Sequence, residues 1–213
     1  MQDYSHGHEL ANSITHGVGV VLSVAGLAVL VSLAALRGDV WCVVSCSIYG
    51  ASLVALFTAS TLYHSFSSPR AKRILRIVDH SSIYLLIAGS YTPFLLVSIR
   101  GPWGWSLFGC LWGMALAGVV LKLFFTGRFR YVSTGIYLAM GWMIVLAIRP
   151  LIREVPRGGI VLLLIGGLLY TGGAVIYAFR RIPYYHAIWH LFVLAAAVTQ
   201  FFAVMFYVVP WDH

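Results

Sequence analysis

Charge is what this chain has least of. Asp, Glu, Lys and Arg make up only 9% of its 213 residues, against about a quarter in an ordinary soluble domain. A water-soluble surface cannot be assembled from so few. Cysteine is scarce too. Cys42, Cys46 and Cys110 are an odd set without metal-site spacing; lying in or near apolar runs, they read better as buried thiols than as a disulfide framework or a zinc ribbon. There is no low-complexity linker, no internal repeat and no stretch left for a second domain, so residues 1–213 read as a single membrane domain. The first dozen residues carry neither a basic cluster nor a small-residue cleavage site, so the first span is expected to be retained as an anchor.

What is present is apolar: 61% of the chain. A helix needs about 20 apolar residues to cross the hydrocarbon. Seven such runs are found, at 15–36, 41–66, 80–99, 103–124, 131–149, 159–179 and 187–209. The fold class is therefore an all-α integral membrane protein, a seven-transmembrane-helix bundle in a lipid bilayer. Short connections built on Gly and Pro, such as Arg100-Gly101-Pro102 and Ser67-Ser68-Pro69, make successive helices antiparallel neighbours. Trp41, Trp103, Trp105, Tyr184, Tyr185, Trp189 and Trp211 fall near span ends, where aromatic rings sit between headgroups and hydrocarbon. Pro93 is expected to kink the third helix and free a carbonyl. Gly109 and Gly113 form a G-x-x-x-G in the fourth span, and Gly166, Gly167, Gly172 and Gly173 mark the sixth; both sets are read as close helix packing within one monomer in preference to a dimer seam.

The formal charge of +8 would point to nucleic acid in a soluble protein, but here the cations sit in the connections and no contiguous polar surface remains to carry that function. One side of the membrane holds Arg70, Lys72, Arg73, Arg76, Lys122, Arg128, Arg130, Arg180 and Arg181; the other holds Arg37, Arg100, Arg149, Arg153 and Arg157. Positive charge favours the cytoplasm, which predicts a cytoplasmic N-terminus and an external C-terminus.

The ionisable groups inside the apolar runs are few and gather at one level. His16 starts the first span, Ser60 and His64 close the second, Asp79 and His80 start the third, and His186 and His190 start the seventh. In an antiparallel bundle these positions share one leaflet. Ionisable groups at membrane depth are costly and turn inward to find partners. His186 and His190 lie one helical turn apart, on one face, and with His64 they make a three-nitrogen set suited to Zn²⁺. Three protein ligands with a fourth position open is the arrangement of a catalytic site, whereas a structural site is closed by four. Ser60 lies one turn before His64 on the same face, placed to steady an oxyanion, although a bond to its own helix backbone is the plainer role for a membrane serine. Asp79 is placed to accept a proton from attacking water. The chemistry this predicts is metal-assisted hydrolysis of an amide or ester.

His80 points about 100° away from Asp79 on a helix and is left out of the site. His6, His8 and His213 read as interfacial. Glu9, Asn12 and His16 share a helix face at spacings of three and four, either holding the N-terminal segment over the polar cluster or, for Asn12, capping the helix. His16 is not assigned to the metal.

Taken in order, Glu9-x-x-Asn12-x-x-x-His16, Ser60-x-x-x-His64, Asp79-His80, the run from Ala88 to Phe94 and His186-x-x-x-His190 resemble the haemolysin III group of bacterial membrane proteins, within the progestin and adipoQ receptor family. The resemblance covers about residues 9–209. It implies a seven-helix bundle of the bacterial inner (cytoplasmic) membrane, with an intracellular N-terminus and a zinc ion near the cytoplasmic leaflet. The matching ligands are His64, His186 and His190, with Ser60 and Asp79 beside them. Related adiponectin receptors and alkaline ceramidases imply a lipid amide as substrate. The chain lacks the long N-terminal extension of the eukaryotic receptors, so adaptor signalling is not expected. The family name records haemolysis, which keeps an alternative open: a non-enzymatic regulator of membrane state or energetics, or a ligand receptor, with structural zinc.

Overall fold

The chain winds into helices where its apolar runs predict them, and the computed structural model describes residues 6–179 and 181–210. In order these are α1 (His6–Arg37), α2 (Val40–Ser65), α3 (Pro69–Pro93), α4 (Pro102–Phe125), α5 (Arg130–Gly141), α6 (Ile148–Glu154), α7 (Arg157–Ala178) and α8 (Tyr185–Tyr207). Seven spans are long and apolar enough to cross a membrane, and no strand occurs among the described residues. Trp211 and His213 lie outside the described residues.

Local chemistry sets the helix boundaries. Asp39 caps α2, its carboxylate accepting from the Cys42 N–H at 2.9 Å. Pro69 and Pro102 stand in the first turns of α3 and α4, where their missing N–H costs nothing. Pro93 closes the α-helical part of α3, and the chain continues as a wider π-helix over Phe94–Ser98, with Ile99 N donating to Phe94 O. The fifth span is composite: α5, a 3₁₀ stretch over Met143–Ala147, then α6, together covering Tyr131–Glu154.

Two expected spans begin too late. The first starts at His6 and the third at Pro69, so Glu9, Asn12 and the basic run Arg70 to Arg76 are helical, not loop. Both extensions are amphipathic: their polar faces engage partners across the bundle end, and that tertiary pairing overrides hydropathy. Asn12 is thus inside α1 and does not cap it.

α1 packs along α2 and α8, α2 along α3, α7 along α8, and α5 bridges α3 to α7, while α4 rests on the outside of α3. One apolar cluster joins α1, α2 and α8 through Leu30, Tyr49, Phe57, Val193 and Val204; a second joins α3, α4 and α5 through Tyr84, Leu95, Leu111 and Met140. Close approach at the α1–α2 seam requires glycine: a Cβ on Gly19 would sit 2.3 Å from the Phe57 ring. In α7, Gly166 and Gly173 similarly admit Gln200 and the Trp189 and Phe192 side chains of α8. The G-x-x-x-G expectation fails in α4. Gly109 and Gly113 are exposed, with nothing within 4 Å of an added Cβ, because α4 buries the opposite face against α3. Cys42 and Cys46 are buried as expected, but Cys110 is exposed on that same outer face of α4.

Candidate metal centre

α1, α2 and α8 meet at one end of the bundle and bring three histidines together. His64 stands in the last turn of α2, and His186 and His190 on successive turns of α8; all three are buried. One ligating nitrogen from each lies within 4.8 Å of the others. Ring centroids are 4.5 Å apart for His186 and His190, 5.0 Å for His64 and His186, and 5.2 Å for His64 and His190. Zn–N bonds of about 2.0–2.1 Å place tetrahedral nitrogens about 3.3 Å apart, so rotamer adjustments of roughly an ångström would close the three around one ion.

α1 orients two of the rings. The Nδ1 of His64 is 2.6 Å from Oε2 of Glu9, whose other oxygen accepts from Lys72 Nζ of α3. A bond that short to a carboxylate places the proton on Nδ1 and the lone pair on Nε2. The Nδ1 of His190 lies 3.2 Å from the Asn12 carbonyl oxygen and 3.3 Å from the Thr15 hydroxyl. A proton there again leaves Nε2 basic. Carboxylate and carbonyl acceptors behind imidazoles are the usual outer partners of a histidine metal site, fixing tautomer and ring plane. His186 is flanked by the Tyr177 ring of α7, with centroids 5.5 Å apart. Tyr184, just before α8, holds a left-handed backbone (φ 55°), the sharp entry from which His186 follows two residues later.

His16 is stacked on His190 with centroids 3.5 Å apart but is not one of the three gathered residues. Both of its ring nitrogens are buried without a hydrogen bond, as is the Asn12 side-chain oxygen. The all-imidazole donor set of His64, His186 and His190 fits a borderline-soft divalent cation such as zinc.

Beside the histidines opens a cavity of about 680 Å³. Ser60, Asp79, His186 and His190 line it, while His64 is not among its lining residues. Ser60 is 1% exposed and its hydroxyl has no hydrogen-bond partner. The backbone-bonded role considered for it therefore does not hold, although Thr61 next to it does bond back to Phe57 O at 2.7 Å. Asp79 is buried in the wall, outside the group of gathered nitrogens. His80 lines the same cavity, 3.5 Å from the Asp79 carboxylate through Nδ1, and donates to Arg76 O at 2.8 Å. The 100° between their positions does not separate Asp79 from His80, because the cavity is wide enough to wrap that face of α3.

Lys122 is the site residue that sequence reasoning misplaced. Counted as a loop cation, it lies within α4, buried, with Nζ 2.7 Å from Ser133 Oγ and over the Tyr137 ring. A signal was available: it is flanked on both sides by aliphatic and aromatic residues, Val120-Leu121 and Leu123-Phe124. Thr15 and Tyr177 had no comparable signal, since their roles depend on helix faces that only packing decides.

A family model described as Haemolysin-III related matches residues 4–201. "Hemolysin-3" of Bacillus cereus is 47% identical over 202 residues, covering 95% of this chain and 92% of that protein. The "Hemolysin-3 homolog" of Bacillus subtilis is 47% identical over 201 residues, covering 94% of each. At 33% identity over 212 residues, the human "Monocyte to macrophage differentiation factor" is similar along 96% of this chain and 84% of its own length. No solved structure matches the chain.

Proposed function

This chain belongs to the haemolysin-III-related family of multi-pass membrane proteins, and on that premise we propose that its three-histidine cluster is a zinc centre that hydrolyses lipid amides or esters. The observation that carries the reading is the convergence of His64, His186 and His190 within 4.8 Å, two of them backed by acceptors from α1, at the wall of a large cavity. His64, His186 and His190 would hold the ion. When bound, zinc supplies Lewis-acid polarisation and acidifies water. The Ser60 hydroxyl, buried and unengaged, donates to the oxygen on which negative charge develops in the transition state. Asp79 accepts the proton released by the attacking water. The apolar remainder of the cavity takes the acyl chain and excludes bulk water from the reacting carbonyl. In this reading the seven spans act as one unit in the bacterial inner membrane, N-terminus inside and C-terminus outside, with the histidine end toward the cytoplasm.

A second reading has one observation in its favour: the names of the relatives speak of haemolysis and differentiation and of no hydrolysis. The zinc would then be structural, in a regulator of membrane state or a ligand receptor, with haemolysis a direct or indirect effect.

Elemental analysis of the purified protein beside His64→Ala separates these from a metal-free cluster. About one zinc per chain, lost in the variant, is the expected result and justifies screening lipid amides and esters. Gently prepared protein without metal would sink the centre and leave the histidines a polar cluster.

A further inference from the structure

The Ser60 hydroxyl is not the only unengaged polar group at its level of the bundle. α1 and α2 run antiparallel in a register fixed by contacts along both. Ser13 Oγ lies 2.7 Å from Ser65 Oγ, and the Asn12 side chain reaches His64 Nδ1 at 3.4 Å. Cβ atoms added to Gly17 and Gly19 would meet the Thr61 side chain at 3.9 Å and the Phe57 ring at 2.3 Å. One turn deeper than the Asn12–His64 contact, this register sets His16 of α1 against Ser60 of α2. Both residues line the large cavity, and they are only 3% and 1% exposed. Neither nitrogen of the His16 ring has a hydrogen bond, and neither has the Ser60 hydroxyl.

Packing does not account for an imidazole at this position. The His16 ring stacks on His190 with 15° between the planes and meets the Phe57 ring edge-on, centroids 5.0 Å apart. A phenyl ring would make both contacts, and would do so without burying two polar atoms. His16 is not a ligand either, since it stands outside the group of nitrogens that can close on one ion. It therefore lies against the centre with hydrogen-bonding capacity that neither the fold nor the metal uses. An uncharged imidazole offers one N–H, and a hydroxyl offers one O–H. Presented from two rigid helices to the same cavity wall, the two make a preorganised pair of the kind that steadies a developing oxyanion.

We propose that His16 is a further catalytic residue of this site: its ring N–H and the Ser60 hydroxyl donate together to the substrate oxygen on which negative charge develops. The stack on His190 holds the ring in place for that bond. The inference rests on the zinc-hydrolase reading and adds a donor from α1, the helix that otherwise supplies outer partners to the ligands. No proton leaves His16 in this role, so Asp79 remains the acceptor of the proton from the attacking water.

The test separates the nitrogens of the ring from its face. Cobalt(II), a spectroscopic stand-in for zinc, is loaded into the full chain in detergent, and acetohydroxamate, a chelator that carries a carbonyl oxygen, is titrated against the visible absorption of the cobalt. His16→Phe keeps a ring to stack on His190 and loses the donor. It should take up about one cobalt per chain with the resting spectrum of the wild type, yet hold acetohydroxamate about three- to tenfold more weakly, the worth of one neutral hydrogen bond. Ser60→Ala should lose a similar factor, and His16→Gln, which restores an N–H, should recover part of it. Size-exclusion elution and helical circular dichroism report whether each variant is folded. If His16→Phe is not, His16→Ala against His16→Gln carries the test, with weaker binding expected in the alanine variant and equal binding overturning the inference. Wild-type affinity for acetohydroxamate in cobalt-loaded His16→Phe overturns the inference and leaves the zinc centre standing. An altered resting spectrum in that variant also overturns it, by reducing His16 to a support for His190. A wild-type chain that takes up neither cobalt nor zinc overturns both the inference and the reading on which it rests.

Discussion

The two ends of the bundle are built on opposite terms. At the histidine end, Asn12, His16, Ser60, His64, Asp79, His186 and His190 come from four helices and are buried, with the half-buried Glu9 beside them, each ionisable group leaning on another. At the other end Asp39 meets Arg100 at 3.2 Å with 52% and 42% of the two side chains exposed, and Arg153 reaches Glu154 in the open. The second end is what a membrane protein needs merely to turn its chain around: a cap, a proline, a solvated ion pair. The first is far more expensive to assemble, because polar groups withdrawn from water must satisfy one another or an ion. The two ends thus differ in what their polar groups cost and in how those groups are satisfied.

If the asymmetry is functional, substitutions at the histidine end should remove whole properties. The largest effect is expected from replacing His186 and His190 together with Ala, which should leave the purified protein without zinc by elemental analysis; unchanged zinc content would mean that the ligands lie elsewhere. Asp79→Asn should come next. Turnover of lipid amides should vanish while zinc remains bound, and a variant that still turns over substrate would remove Asp79 from proton transfer. Glu9→Gln keeps an acceptor behind His64 but removes the charge that favours a proton on Nδ1. Loss of such an outer partner weakens metal affinity by about 10–100-fold, measurable by competition with a chromophoric chelator. An affinity equal to the wild type would reduce Glu9 to a tether between α1 and α3.

The number of spans and the common level of the polar residues are legible in the amino-acid sequence, since both follow from hydropathy, loop chemistry and antiparallel alternation. The i, i+4 spacing of His186 and His190 dictates a shared helix face whatever surrounds it. Depth of burial is not legible in this way, because hydropathy reports compatibility with lipid as well as with protein. The most apolar 18-residue window of the third span has the lowest mean hydropathy among the seven, 1.4, and 67% of that window is buried, whereas the window of the first has the highest, 2.5, and only 28% of it is buried. The same ambiguity half-hides Lys122: its apolar flanks mark it as part of a helix, but whether it faces lipid, headgroups or a cavity wall is decided only when α5 packs against it. It also hides the start of α1, where Glu9 and Asn12 are polar in sequence but helical because His64 and His190 receive them. The lipid-facing glycines of α4 mislead for the complementary reason: small residues at helical spacing permit close packing, and nothing in the spacing says that a partner is present.

At the exposed end the same reasoning predicts small and separable effects. Asp39 both caps α2 and pairs with Arg100, and the Cys42 N–H, followed by Arg100, holds its carboxyl below the ordinary aspartate range. A folded-state value below the unfolded one stabilises the protein above the unfolded pKa and is lost as pH falls through the folded one, so this contribution should fade only below about pH 4. Asp39→Asn retains the cap and loses the ion pair, which in so exposed a setting is worth roughly 0–1 kcal/mol. Asp39→Ala loses the cap as well, a further cost of about 1 kcal/mol. Thermal unfolding in detergent near neutral pH should therefore rank wild type, Asp39→Asn and Asp39→Ala in descending stability, with zinc content the same in all three. The Asp39→Ala deficit should narrow as the wild-type carboxyl is titrated. If Asp39→Asn were as damaging as Asp39→Ala, the ion pair would outweigh the cap; if either variant lost zinc, the two ends would be coupled and the division between turn and site would not hold.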